Sequence, residues 1–425
     1  MQRIFIIILA LALLFGGCGK ASQSGKVRIS FWHGLSGPLG DTLNEMIREF
    51  NRTHKDIEVV ANSISSYTAL SQKLMASIQA KKQPDIAQVF ESWTAKYVAA
   101  DVLVNISRLI QEDPNFGQAD LDDMYPVFLN SITYQDSIWS FPFNKSVRAY
   151  FYNKDEFYRA GLDPNYFPKT WEEFRQYCRI FTKAGKPRDT FGTNFAPNEW
   201  QFINLLHQAG GEIIDANDNP TLNSPAGVEA LTFVTDLLNK EKTVYSVKEY
   251  DGQNDFLAQI VAMYEGSSVS IVHMRQQPIN FNIGYAPLPT YRTAESAISG
   301  ANIVIFRSGD ERREKAAWEF IKWFTDTPQT ARWSVDTFYM PLRKSAMQTD
   351  TVQEFLAEFP QFQGIFDQLE DAVFEPQNPA WFNARMELKG YLEKAFTQVL
   401  TPKEALDGAA QTLAKLVAEE KKKLK

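Results

Sequence analysis

Pro142-Phe143-Asn144-Lys145-Ser146-Val147-Arg148-Ala149-Tyr150-Phe151-Tyr152-Asn153-Lys154-Asp155-Glu156-Phe157 carries the strongest local signal in the chain. Ala149-Tyr150-Phe151-Tyr152 is a bulky apolar run between turn residues, which predicts a buried strand. Asn153 and Asp155 follow with N-cap chemistry for a helix beginning near Glu156. Upstream, Pro142 and Asn144 are expected to interrupt a hydrogen-bonded ladder, which leaves Asn144 and Ser146 to face a cavity at the entry of the strand.

On the N-terminal side, short strands alternate with helices. Val27 to Trp32, Ile57 to Val60 and Pro84 to Phe90 read as strands. Leu39 to His54 and Tyr67 to Ala80 read as helices, the first with Leu43, Met46, Ile47 and Phe50 at helical spacing. This alternation implies an α/β fold with parallel strands, in which ligands bind beyond the carboxyl ends of the strands. Trp32, His33, Glu91 and Ser92 all fall at such ends. On the C-terminal side, helices are expected over Ser224 to Asn239, Asp255 to Tyr264 and Arg312 to Thr325, and Asp407 to Lys425 is mostly helical. Ile283 to Pro289 reads as an extended crossing that ends in two prolines.

A length of 425 residues favours two domains over a single core. Aromatic residues make up 13%, enough to supply stacking platforms as well as core. A net charge of −7 argues against nucleic acid as a partner. Met1-Gln2-Arg3 precedes an unbroken apolar run from Ile4 to Phe15, too short to span a bilayer and right for a signal-peptide core. It ends in Leu14-Phe15-Gly16-Gly17-Cys18, which resembles a lipobox with Phe15 where Leu is usual. Residues 1–17 are therefore expected to be a leader, Cys18 a lipidated N-terminus, and 18–25 a tether. The other cysteine, Cys178, has no partner for a disulfide and reads as a small buried hydrophobe.

The order Pro142-Phe143-Asn144, Ala149, Tyr152-Asn153, Phe157 resembles the signature of bacterial extracellular solute-binding proteins of family 1, which serve ABC importers. Arg159 departs from that pattern, while Gly161-Leu162-Asp163-Pro164 and Pro168 to Phe174 continue it. Phe31 to Gly37, Gln88 to Glu91, Ile298 to Ala301 and Tyr339 to Leu342 look closest to the glycerol-3-phosphate-binding branch of the family. The resemblance implies a two-lobe periplasmic-binding-protein-like fold with three hinge crossings and a ligand cleft between the lobes. The lobes are expected at residues 26–141 with 286–325 and at 142–285 with 326–425.

Carried over by position, the ligand contacts of the branch fall on Tyr67, Glu91, Ser146, Trp200, Ser267 or Ser268, Gly300 and Tyr339. Trp32, His33, Asn144 and Trp381 join them as candidates from their own local patterns, although each of these residues also has an ordinary core or turn reading. The branch holds phosphate with an Arg in a late loop. That loop here runs from Phe374 to Trp381 without a basic residue, and Pro197 stands where the branch has a second Trp. These departures favour a neutral sugar or polyol over glycerol-3-phosphate.

The histidines, His33, His54, His207 and His273, are scattered without zinc spacing, and no nucleophile elbow or phosphate loop occurs. No metal, cofactor or catalytic activity is expected. The expected partners are a small-molecule solute, ABC permease subunits and, through the lipid, the membrane, with the chain itself a monomer outside the cytoplasm. The alternatives are a lipoprotein that presents its solute to a membrane sensor, and an exported glycan hydrolase. The leader generates a test: Cys18→Ser should yield an unprocessed or released protein, and an unmodified N-terminus elsewhere in the native protein, seen by mass spectrometry, would contradict lipidation.

Overall fold

The computed structural model describes residues 25–64, 66–183, 189–248 and 251–423. The expected leader, Cys18 and the tether up to residue 24 lie outside them. Two sheets organise the chain. The first has five strands in the order Ile57–Ser63, Val27–His33, Ile86–Val89, Ser299–Ile305, Phe141–Ser146. Its first three strands run parallel, and Ser299–Ile305 runs antiparallel to both of its neighbours. The second sheet is antiparallel, with Arg148–Asn153 between Met263–Ser267 and Ile283–Ala286. The parallel pair Thr193–Phe195 and Val244–Ser246 abuts it through Ala262 and Met263, whose N–H groups donate to the carbonyls of Phe191 and Gly192.

The expected helix over Leu39 to His54 forms as Gly37–Thr53 and buries Leu39, Leu43, Met46, Ile47 and Phe50. It packs with Glu311–Thr325 on one face of the first sheet, where Phe50 and Phe320 meet edge to face at 5.1 Å. Leu70 and Leu74 of Tyr67–Gln79 and Trp93 and Tyr97 of Glu91–Ala99 cover the opposite face. Burial of this much aromatic and aliphatic surface, at roughly 25 cal/mol per Å² of apolar area, is the dominant stabilising term. Cys178 is fully buried against Gly192, where any Cβ would meet the Cys178 backbone at 2.4 Å.

Two local expectations are corrected. The segment 255–264 is not one helix: Asp251–Leu257 is helical, and Met263–Ser267 is a strand paired with Arg148–Tyr152. A helical pattern of apolar residues yields here to ladder pairing with the aromatic strand. Pro142 does not break the ladder either. Phe141–Ser146 is the edge strand of the first sheet, the position where a residue without an N–H is tolerated. The chain leaves the first sheet after Ser146 and enters the second at Arg148, with Val147 between them. It returns between Ala286 and Ser299, and passes over once more around Thr327–Thr337, where Trp333 packs with Phe143 while Ala331 joins the other core. Asn153 caps Lys154–Arg159 as its sequence suggests, accepting from the N–H groups of Asp155 and Glu156.

His33 ends the first strand on the same side as Ile29 and Phe31, 1% exposed, with its ring 5.3 Å from that of Phe31. Neither ring nitrogen has a hydrogen bond of good geometry. Burial lowers its pKa to about 4, and the nearby Leu35 backbone only partly opposes this. The unfolded chain therefore takes up this proton first as the pH falls. Stability owed to neutral His33 is intact above pH 6.5, declines between 6.5 and about 4, and levels off below. The full effect is on the order of 3 kcal/mol. In urea denaturation series, His33→Leu is expected to flatten the dependence of stability on pH across that window, and an unchanged slope would refute this role.

Candidate functional site

The crossing at Val147 gathers most of the candidate residues. Ser146 and Ser267 flank it, with Ser267 opposite Arg148 in the ladder and the Ser268 N–H donating to the Val147 carbonyl at 2.9 Å. Gly300 lies opposite Lys145 at φ +109°, and a Cβ there would sit 1.9 Å from the Asn144 carbonyl oxygen. Only glycine allows the two strands to close up at this point.

Tyr67, Asn144 and Tyr339 meet in one polar cluster, together with a residue not singled out from the sequence, Gln88. Gln88 accepts from the Gly34 N–H at 2.6 Å and donates to Asn144 Oδ1 at 2.7 Å and to the Tyr67 hydroxyl at 3.1 Å. Asn144 Nδ2 donates to the hydroxyls of Tyr67 and Tyr339 at 3.1 and 3.0 Å. The cluster joins a helix start, a central strand, an edge strand and the segment after Thr327–Thr337.

Beside it stand two buried cations, Lys145 and Arg148, and the partly buried Arg385, each paired with carboxylate. Lys145 Nζ, wholly buried, pairs with Glu91, which Asn302 Nδ2 also approaches at 3.5 Å. Arg148 pairs with Glu265. Gln201 and Tyr150 also donate to that carboxylate, Tyr150 at 3.3 Å. Burial, reinforced by Glu265, holds the Tyr150 pKa well above that of a free phenol, so its hydroxyl stays a donor. Arg385 donates to Glu199 at 2.8 Å and pairs with Glu375 at 3.1 Å. Burial pushes the Glu375 carboxyl upward in pKa against the pull of Arg385. The late loop itself carries no base, but the helix that follows it brings Arg385 alongside, one turn beyond Trp381.

The tryptophans are built into this frame. Trp200 Nε1 donates to the Ala297 carbonyl at 2.7 Å, and the Arg148 guanidinium lies 5.2 Å from the ring centre. Trp381 Nε1 donates to Glu375 at 2.7 Å. Trp32 sits apart, packed toward the Leu70 and Leu74 helix with Lys73 Nζ 4.3 Å from its ring centre. His33 stays in the first core and touches none of the cluster's hydrogen bonds. The two lobes meet where Phe382 stands edge-on to Trp93 at 5.0 Å and Arg385 lies 5.6 Å over the Phe90 ring.

Among the described residues, no group of three or more His, Cys, Asp or Glu is arranged to hold a metal ion, and no helix is long and apolar enough to cross a membrane. What the site offers is a set of fixed donors and acceptors beside aromatic faces, which suits reversible capture of a polar solute.

Known proteins of similar sequence and fold exist. The glycerol-3-phosphate-binding periplasmic protein UgpB of Pectobacterium atrosepticum is 27% identical over 95% of this chain and 93% of its own length. The Escherichia coli protein of the same name is 25% identical, covering 95% of both chains. Among solved structures, UgpB from Mycobacterium tuberculosis in complex with glycerophosphocholine superposes with a TM-score of 0.81 at 23% identity, over 93% of this chain and all of that one. The cyclic alpha-maltosyl-1,6-maltose binding protein from Arthrobacter globiformis gives 0.79 at 24% identity, over 92% of this chain and 99% of that one. Residues 36–331 match the family described as bacterial extracellular solute-binding protein, and the chain belongs to that family, as a binding protein and not an enzyme.

Proposed function

We propose that this chain is the extracytoplasmic receptor of an ABC importer, anchored through diacylated Cys18, and that it captures a neutral, hydroxyl-rich solute such as a sugar or polyol by closure of its two lobes. In this reading the lobes comprise residues 26–146 with 299–325, and 148–286 with 338–425, with the segments between as hinges. Tyr67, Glu91, Asn144, Ser146, Trp200, Ser267, Gly300, Tyr339 and Trp381 face the solute, and permease subunits receive it.

The observation that carries the reading is the charge pairing. Among the described residues around the crossing, Lys145 and Arg148 are buried and Arg385 partly so, and each is already matched by Glu91, Glu265, or Glu199 with Glu375. A phosphate dianion arriving here meets carboxylates as well as cations, and has to displace one to gain a strong partner. Stripping one member from a buried pair costs about 3–5 kcal/mol. A neutral polyhydroxyl solute asks for no such exchange. It takes hydrogen bonds from fixed donors, gives its hydroxyl protons to carboxylate oxygens and lays a carbon face on an indole. Closure follows because such a ligand binds the closed form better than the open one. The names of the relatives span both glycerol phosphates and sugars, so the pairing is what favours one class over the other.

Calorimetry tests this. A panel of neutral mono- and oligosaccharides and polyols should contain a binder at micromolar affinity or tighter, with sn-glycerol 3-phosphate silent. Trp200→Ala should weaken that binder by about 2 kcal/mol or more. Micromolar binding of sn-glycerol 3-phosphate with no response to any neutral solute would overturn the proposal.

A further inference from the structure

The loop from Phe374 to Trp381 carries one wall of the proposed cleft, and its sequence makes it stiff. Pro376 and Pro379 each fix φ, and each biases the residue before it, Glu375 or Asn378, toward extended backbone. Glu375 accepts from Trp381 Nε1 at 2.7 Å, which closes the loop on itself. Asn378 accepts from the Ala380 N–H through its side chain and from the Trp381 N–H through its carbonyl, both at 2.9 Å, and so starts the helix Trp381–Phe396. Asn378 Nδ2 donates to Asp218 at 2.8 Å, and Asp218 pairs in turn with Lys421 of the helix Pro402–Lys423 at 3.0 Å. On this side the loop is tied to the helices that pack around its own core.

Gln377, the residue before Asn378, reaches the other way. Its Nε2 donates to the carbonyls of Asn130, Ser131 and Thr133 at 3.1, 3.0 and 3.0 Å. Carbonyl oxygens only accept, so the nitrogen of the amide and not its oxygen faces them. Two N–H groups are shared among three acceptors. The end being gripped is that of the helix Pro126–Ile132, whose last carbonyls have no partner within the helix. This end is also a seam. Val127 and Phe128 pack in the core of Val147 and Phe151, whereas Ile132 packs in the core of Phe31 and Phe141. From Thr133 a hairpin, Thr133–Tyr134 with Ser137–Ile138, leads into the strand Phe141–Ser146, which carries Asn144 and Ser146.

We propose that Gln377 is a positioning residue whose amide docks the Trp381 wall onto the chain that carries Asn144 and Ser146, and so sets the spacing of the two lobes. Its grip is on main-chain carbonyls, so it reads where the first lobe stands and is indifferent to the identity of the solute. The stiffness of the loop between its prolines passes that spacing on to Trp381. What the position requires is a donor. A carboxylate offers none and sets a negative charge against three carbonyl oxygens, while an ammonium offers three N–H groups.

The functional meaning rests on the proposed solute cleft, but the test needs no solute, so the two can fail separately. Small-angle scattering compares the unaltered protein with Gln377→Glu and Gln377→Lys. The Glu variant should show a larger radius of gyration, and the Lys variant the radius of the unaltered protein. A folded Gln377→Glu with an unchanged radius overturns the proposal even if its thermal midpoint falls, because a merely structural role lowers the midpoint and leaves the spacing alone. A folded Gln377→Lys that opens as far as the Glu variant overturns it too. Should neither variant fold, the unaltered protein decides by NMR. Its Gln377 side-chain amide protons are expected to exchange with solvent more slowly than those of free glutamine, and exchange at the free rate would refute the grip.

Discussion

Lys145 and Arg148 stand three residues apart on either side of the point where the chain passes from one sheet to the other, and each is buried against a glutamate from a distant part of the chain. Burying a cation is tolerable only when a partner and further hydrogen bonds satisfy it. Glu91 must therefore start its helix where it does, and Glu265 must sit where the strand Met263–Ser267 places it. Gln201 and Tyr150 complete the shell of Glu265, and through Gln201 the helix Glu199–Gln208 is tied to the crossing. The position of Trp200, the residue before Gln201 in that helix, follows from the same contacts.

Arg385 plays the corresponding part at the far side. It is fastened to Glu199 and Glu375 within its own lobe and lies over Phe90 of the other, while Phe382, one turn earlier, packs on Trp93. Aromatic pairs of this kind contribute about 0.5–1.5 kcal/mol beyond their buried area. They are weak enough to part and strong enough to bias the lobes together once a solute adds its own contacts. The polar cluster around Gln88 gathers Tyr67 and Asn144 from the chain before Val147 and Tyr339 from beyond the last crossing, so both sides carry fixed polarity before any ligand arrives.

Much of this was legible from residue order. The alternation of Val27 to Phe90 foretold the parallel part of the first sheet, and the aromatic run ending at Tyr152 foretold the central strand of the second. The change of sheet at Val147 was not legible, because strand alternation places Lys145 and Arg148 on opposite faces of a continuous strand. The change of sheet between them brings both inside. Arg385 was not legible as a partner from the loop alone, because it lies beyond it, where helical geometry carries a residue four positions on to the same side as Trp381. Gln88 gave one signal that was passed over, a polar side chain in the otherwise apolar strand Ile86–Val89, fully buried in the fold. Glu265 gave none, since its segment resembled a helix until the ladder with Arg148 was formed.

If paired cations are what turn a phosphate away, releasing one should invite it in. The most direct measurement compares sn-glycerol 3-phosphate titrations of the unaltered protein and of Glu265→Gln, which keeps the shape of the side chain and one acceptor oxygen but leaves Arg148 without its counter-charge. The account predicts no measurable binding by the unaltered protein and at least tenfold stronger apparent binding by the variant. Micromolar binding by the unaltered protein, or equal silence from a folded variant, would contradict it.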